Sequence, residues 1–161
     1  MGHLMVRRLF GVGPIGAGIT LILLAAAIRV DRALGHPEIL RYGSLMRMLG
    51  VLLICAGLAL LFWSMYTLRS WWADNRLCTT GPFRWFRHPM YAAWITFVSL
   101  GIAFYLNSWI LLAWVILLHP VWHRLVIHEE KMMSERFEDE YRAYAEQTGR
   151  FIPRLWNPRH S

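Results

Sequence analysis

The sequence predicts an all-α integral membrane protein with about four transmembrane helices, a tight C-terminal hairpin and a cytosolic amphipathic tail helix. The 161 residues are 57% hydrophobic and only 17% charged, whereas soluble domains are roughly 45–50% apolar and about 25% charged. Long stretches of the chain carry no charged residue at all. Because nine Trp and eight Phe accompany the net charge of +7, the excess charge is expected beside a membrane, and no nucleic-acid partner is expected.

The uncharged stretches have the lengths of membrane crossings. Residues 9–28 and 48–68 form stretches of 20 and 21 residues, one crossing each, because about 20 apolar residues span a bilayer. The third stretch, residues 88–123, has 36 residues and would be roughly 54 Å long as a single helix. Since this is nearly twice the hydrocarbon thickness, we expect it to turn back at residues 105–108, with Ser108 capping the returning helix.

The chain is expected to form one membrane domain, residues 1–161, with a two-span N-terminal part at 1–74 followed by a second part at 75–156. Thirteen Lys and Arg residues fall on the side that holds both termini, the second loop and the tail, and four fall on the other side. Basic loops remain in the cytosol. Both termini are therefore predicted to be cytosolic.

A glycine motif near the N-terminus has the spelling of a dinucleotide-binding fingerprint. Gly11, Gly13 and Gly16 follow the pattern G-x-G-x-x-G, and Asp31 stands 20 residues after Gly11. No strand precedes these glycines and a membrane span follows them, so a dinucleotide site is not expected. The pattern is typical instead of close helix packing.

Three histidines on the last span could suggest a metal site. His119 and His123 are four residues apart and would share a helix face, with His128 following. Pro120 interrupts this region and no nearby cysteine completes a ligand set, so no metal site is expected.

Polar chemistry concentrates at the start of the third span. Pro89 suits the first turn of a helix, which makes His88 the predicted N-cap residue. The free N–H groups of a helix start, beside Arg87 and a histidine, suit a carboxylate or a phosphate. A basic cluster that touches anionic lipid is the alternative.

The pair Glu129-Glu130 follows the last span and has no Lys or Arg three or four residues away, whereas most other charges of the tail have helical partners. Unpaired carboxylates near a membrane are costly. We therefore expect a tertiary or ligand partner for each, with a solvated acidic pair as the alternative.

The tail that follows is expected to form an amphipathic helix. Its apolar stripe consists of Met133, Phe137, Tyr141 and Tyr144,. Gly149 is expected to stop this helix, and residues 150–153 are expected to fold back as a lid.

Taken together, these segments resemble the isoprenylcysteine carboxyl methyltransferase family, integral membrane methyltransferases whose relatives include phospholipid N-methyltransferases. The resemblance spans about residues 75–156. It rests on Leu77-Cys78-Thr79-Thr80-Gly81-Pro82-Phe83, on Arg87-His88-Pro89-Met90-Tyr91, on Glu129-Glu130, and on Phe137, Tyr141 and Tyr144 before Phe151-Ile152-Pro153. Glu138 departs from this pattern, because the family commonly has glycine after the phenylalanine.

The resemblance implies a helical membrane fold that encloses S-adenosylmethionine at the cytosolic face, while a lipophilic small molecule or lipid-modified substrate enters from the bilayer. It further implies that Glu129 binds hydroxyl or amino groups of the cofactor. The other cofactor-binding residues that it implies are Leu77, Cys78, Phe83, Arg87, His88, Pro89, Met90 and Tyr91.

The expected reaction is direct methyl transfer, promoted mainly by alignment and exclusion of water. A carboxylate such as isoprenylcysteine is the expected acceptor, and a thiol or a lipid amine is the alternative. Arg124 or Arg87 would orient a carboxylate, and Glu130 would serve as the base for an amine. A nicotinamide-dependent membrane reductase of the sterol-reductase type and a non-catalytic membrane protein are the competing hypotheses. The acidic pair does not suit a cofactor with several phosphates.

Overall fold

The computed structural model describes residues 12–41, 43–71 and 76–154. Four helices account for most of these residues: α1 (Gly13–Ala33), α2 (Gly43–Trp71), α3 (Pro89–Tyr105) and α4 (Trp109–Gln147). A short 3₁₀ turn, Gly81–Arg84, lies between α2 and α3. The helical prediction is confirmed for these ranges, which contain isolated β-bridges but no strand. The N-terminal arginines and Gly11 of the glycine motif lie outside them.

Three of the helices are long and apolar enough to cross a membrane, namely α1, α2 as far as Arg69, and α4. The fourth, α3, has only 17 residues and is about 25 Å long, a little less than the hydrocarbon thickness of about 30 Å. The number of full-length spans differs from the expected four because α3 is bounded by Pro89 and by the turn at residues 105–108. The helix α4 is longer because it continues past the apolar stretch into the tail.

The turn between α3 and α4 lies at the predicted place. Asn107 has a φ of 53°, and the Ser108 hydroxyl accepts a hydrogen bond from the Leu111 backbone N–H at 3.2 Å, so Ser108 caps α4 as predicted. The Asn107 side chain bonds both backbone groups of Leu40, at 3.1 and 2.7 Å. These bonds fasten the turn to the loop between α1 and α2.

Glycines set the close approach of α2 to α3. A Cβ atom on Gly50 would lie 2.5 Å from the backbone N of Tyr105 and 2.6 Å from the Gly101 carbonyl oxygen. Because both neighbours are backbone atoms, no side chain fits at this position. This is the small-residue packing found between membrane helices.

A second close approach joins α1 to α4. A Cβ atom on Gly16 would lie 2.5 Å from the Trp122 ring, and the Trp122 indole N–H donates to the Thr20 hydroxyl at 3.0 Å. Gly13 lies against the Tyr91 hydroxyl. Interpretation of the glycine motif as helix packing is thus confirmed at Gly16.

The helix α4 is 39 residues long and contains both the last span and the tail. The expected separate tail helix is therefore the continuation of the span. Pro120 does not end the helix, since membrane helices tolerate a proline whose freed backbone group finds another partner. Glu138 breaks the helical geometry with a φ of 44° and a ψ of −118°, so α4 is kinked at this residue.

At the end of α1, an ion pair predicts a pH-dependent stability. His36 Nδ1 lies 2.7 Å from Asp31 Oδ2. The hydrogen bond with Asp31, and the charge of that carboxylate, raise the pKa of His36 above its ordinary value of 6.5,. Because the pKa of His36 is higher in the folded than in the unfolded protein, the protonated histidine stabilises the fold at a pH below the unfolded-state pKa. This contribution is lost as the pH rises through the folded-state pKa.

We therefore expect the Tm of the detergent-solubilised protein to fall as the pH is raised from about 6 to about 8.5. The variant His36→Asn, whose side chain tolerates the φ of 56° at this position,, should lose this component of the pH dependence. Thermal unfolding at a series of pH values measures both proteins. Identical pH profiles would contradict the prediction.

Candidate active site

The loop that precedes α3 is held against α4 by one tyrosine. Gly81 adopts a φ of 56°, and the 3₁₀ turn that it opens buries Phe83. The Tyr144 hydroxyl donates to the carbonyl oxygen of Phe83 at 2.7 Å and approaches that of Phe86 at 3.2 Å. The loop therefore meets α4 near the end of the tail.

The helix α3 starts at Pro89 with His88 at the N-cap position, as predicted. The rings of His88 and Tyr91 stack with their centroids 5.6 Å apart. Directly after Ala92 the backbone forms a π-helical turn over Ala93–Val98, a distortion often found at functional sites. The helix start thus presents an imidazole and a phenol side by side.

Glu130 is the centre of an ion cluster. Its Oε1 accepts hydrogen bonds from the Nε atoms of Arg87 and Arg150, each at 2.9 Å, and its Oε2 accepts from Nη2 of Arg150. The side chains of Glu130 and Arg87 are each 14% exposed and that of Arg150 is 20% exposed. The expected tertiary partner of Glu130 is thus present, as two guanidinium groups that hold its carboxylate ionised.

Glu129 has a different set of partners. Its Oε1 accepts from the Val12 backbone N–H at 2.6 Å and from the Tyr91 hydroxyl at 3.0 Å. Its Oε2 lies 3.6 Å from Nδ1 of His88, which is too far for a hydrogen bond. His88 Nε2 lies 3.4 Å from Glu130 Oε1, yet this buried nitrogen makes no hydrogen bond with a described residue. Glu129 Oε2 and His88 Nε2 therefore retain hydrogen-bonding capacity.

The segment after α4, residues 149–153, folds back against this cluster, and we refer to it as the lid. The backbone N–H of Arg87 donates to the Gly149 carbonyl oxygen at 2.7 Å, and that of His88 donates to the Arg150 carbonyl oxygen at 3.2 Å. Phe151 is only 1% exposed. The lid therefore brings Arg150 to Glu130 and closes one side of the site.

Arg87 also fixes the end of α4. Its Nη1 donates to the carbonyl oxygens of Ala145 and Thr148, each at 2.7 Å. One guanidinium group thus satisfies two terminal carbonyls of the helix while it pairs with Glu130. The site and the helix end are consequently stabilised by the same side chain.

Five of the predicted site residues converge at this place: Arg87, His88, Tyr91, Glu129 and Glu130. Pro89 and Met90 lie between them at the start of α3. Phe83 is linked to the site only through Tyr144, and Leu77 and Cys78 are buried in the preceding loop. Burial raises the pKa of the Cys78 thiol above its ordinary value,, so Cys78 is poorly suited to act as a thiolate.

Arg124 does not join this cluster, whereas His119 and His123 border it through the lid residue Phe151. Arg124 is exposed and has no hydrogen bond or ion pair with another described residue. His119 and His123 both point at the Phe151 ring, at centroid distances of 6.5 and 5.3 Å. Within the ranges that the structure describes, no group of three His, Cys, Asp or Glu residues is arranged to hold a metal ion.

Two of the residues that bond the glutamates, Arg150 and Val12, are not among those predicted from the sequence. The role of Arg150 could have been predicted. Since the helix is expected to stop at Gly149, Arg150 would not form a helical pair with Glu146 and could pair with a residue elsewhere in the chain. Val12 gives no such signal, since its donor is a backbone N–H that every residue except proline has.

A family model described as phospholipid methyltransferase matches residues 45–140. An uncharacterized protein of Schizosaccharomyces pombe is 38% identical over 82 residues, which cover 47% of this chain and 23% of that protein. This chain therefore matches less than a quarter of the length of that relative. No solved structure matches the chain. The family match includes the helix start at Pro89 and both glutamates and extends over more than half of the sequence, so the chain belongs to the phospholipid methyltransferase family.

Proposed function

We propose that this protein transfers a methyl group from S-adenosylmethionine to a lipophilic acceptor at the cytosolic face of a membrane. The observation that carries the proposal is the meeting of Glu129 with His88 and Tyr91 at the start of α3, inside the region that matches the family. Membership of the family supports the assignment of a membrane methyltransferase activity. The identity of the cofactor, the class of acceptor and the roles of the site residues are part of the proposal.

Two polar atoms of the site that make no hydrogen bond with a described residue suit this cofactor. Glu129 Oε2 can accept a hydrogen bond from a hydroxyl or an ammonium group, and His88 Nε2 is a second free polar atom,. The start of α3 suits a carboxylate. When bound, S-adenosylmethionine supplies an electrophilic methyl group on a sulfonium. We assign the walls of its pocket to Leu77, Cys78, Phe83, Arg87, Pro89, Met90 and Tyr91, within a cofactor-binding core at residues 75–156.

The ion cluster favours a positioning role for Glu130. Both of its oxygens are occupied by guanidinium groups of Arg87 and Arg150, which weakens it as a proton acceptor for an amine. Arg124 is exposed and has no such partner among the residues that the structure describes, so we propose that it orients the head group of the acceptor,.

Access from the bilayer is supported by the apolar side chains that α1 and α2 expose, such as Ile22 and Phe62. In the proposed topology α3 is a fourth crossing and both termini are cytosolic, in line with the distribution of basic residues,. The acceptor has two candidate chemistries. A lipid amine agrees with the description of the family, and an isoprenylcysteine carboxylate agrees with the sequence resemblance.

Binding of S-adenosylmethionine to the detergent-purified protein tests the proposal, beside the variant Glu129→Gln. We expect the wild type to bind with a micromolar dissociation constant. The affinity of the variant should be at least about 30-fold lower, because a hydrogen bond to a charged group is removed from a buried site. The matched control is Glu135→Gln on the same helix, whose side chain is 65% exposed. This control should bind as the wild type does.

Methyl transfer from labelled cofactor to phosphatidylethanolamine or to a prenylated cysteine then separates the two acceptor chemistries. A folded wild-type protein that binds no S-adenosylmethionine would overturn the proposal. Binding of a reduced nicotinamide cofactor in its place would favour the membrane reductase.

A further inference from the structure

The helix α1 contributes to the site although it lies outside the family match. The match begins at residue 45, whereas α1 spans Gly13–Ala33. Val12, the N-cap residue of α1, nevertheless makes the shorter of the two hydrogen bonds to Glu129 Oε1, at 2.6 Å. A part of the chain that the family comparison does not include therefore contacts the carboxylate to which we assign cofactor binding.

This contact is built into the packing of α1. Two turns of the helix rest on the wall of the site, with Gly16 against the ring of Trp122 and Thr20 accepting the Trp122 indole hydrogen bond. The Trp122 ring in turn packs on Tyr91, with centroids 4.7 Å apart. The helix α1 is thus packed on Trp122, and Trp122 packs on the tyrosine that also bonds Glu129.

The two carboxylate oxygens of Glu129 consequently differ in their hydrogen bonds. Oε1 accepts from two donors, the Val12 N–H and the Tyr91 hydroxyl, and Oε2 accepts from no described residue. Two donors on one oxygen restrict rotation of a flexible side chain, and a binding group that is already held in place loses less freedom when a ligand binds. Because the contact uses Oε1 only, a ligand can reach Oε2 while α1 stays in place.

We propose that the first turn of α1 is a positioning element of the site, in which the backbone N–H of Val12 and the hydroxyl of Tyr91 hold Glu129 so that Oε2 accepts from the methyl donor. This inference rests on the proposed function. It assigns to α1 a binding role beyond that of a membrane span.

The test compares two substitutions at one residue. Val12→Pro removes the N–H, and the φ of −85° at this position is close to the value that proline requires. Val12→Ala shortens the side chain and retains the N–H. We expect the dissociation constant for S-adenosylmethionine to rise at least about tenfold more in Val12→Pro than in Val12→Ala. Thermal unfolding of the ligand-free proteins shows that both are folded.

Tyr91→Phe provides a readout that a merely structural effect would not move. It removes the other donor to the same oxygen while the ring stays. If both groups hold Glu129, the double variant with Val12→Pro should lose more affinity than the product of the single losses. If the two substitutions act independently, on the packing of α1 and on the surroundings of Tyr91, the loss of affinity in the double variant should equal the product of the single losses.

The outcomes separate the inference from the function on which it rests. Wild-type affinity in Val12→Pro would overturn the inference and leave the proposed function intact. Tighter binding in Val12→Pro would also overturn it, since α1 would then compete with the ligand for Glu129. A wild-type protein that does not bind S-adenosylmethionine would overturn both.

Discussion

Replacing Glu130 with alanine is expected to destabilise the detergent-solubilised protein by about 3–5 kcal/mol, the typical effect of removing one member of a buried ion pair. The substitution leaves the guanidinium groups of Arg87 and Arg150 without their anion, and neither side chain is more than 20% exposed. The loss extends beyond the pair, because Arg87 also binds the carbonyl oxygens that end α4. Thermal and denaturant unfolding at a fixed detergent concentration measure this effect.

Glu135→Ala is the matched control on the same helix. Its partner Lys131 lies 3.9 Å away and both side chains are largely exposed, so we expect a change of at most about 0.5 kcal/mol. Equal stabilities of the two variants would show that the Glu130 cluster makes no net contribution to folding. They would also remove the reason for assigning Glu130 a positioning role.

The sequence predicts those features of this fold whose causes are local. Pro89 and Ser108 act through the backbone of their own helix turns, so the starts of α3 and α4 are at the predicted residues. Glu129 and Glu130 lack partners within one helix turn. For that reason partners from elsewhere in the chain could be expected before the structure showed them.

Features that depend on distant backbone could not be predicted in this way. The contact of Val12 with Glu129 joins residues 117 positions apart through a main-chain donor, and main-chain donors do not differ along a sequence. The continuity of α4 through Pro120 depends on how the neighbouring backbone adjusts. The length of α4 depends on how far the helix continues past the apolar stretch into the polar tail, and the charge pattern alone does not show where it ends.

Substitution of Gly149 by alanine is expected to open the lid and to destabilise the protein by about 3 kcal/mol. A Cβ atom at this position would lie 1.7 Å from the carbonyl oxygen of Ile152 and 2.8 Å from its carbonyl carbon. Both are backbone atoms, so relief of the overlap requires the turn itself to move. The movement withdraws the Gly149 carbonyl from the Arg87 N–H and displaces Phe151, which is almost fully buried.

The displaced lid also carries Arg150, so the effect on ligand binding should exceed what lost stability alone explains. We expect affinity for S-adenosylmethionine to fall at least about tenfold at a temperature where the variant is still folded. In the control Gly18→Ala, the new Cβ atom meets no atom within 4 Å, and alanine favours the helix by up to about 1 kcal/mol. Because Glu130→Ala and Gly149→Ala both disconnect Arg150 from Glu130, their destabilisations should not add in the double variant. Full additivity would mean that the lid and the ion cluster are independent, and that closure of the site does not depend on Arg150.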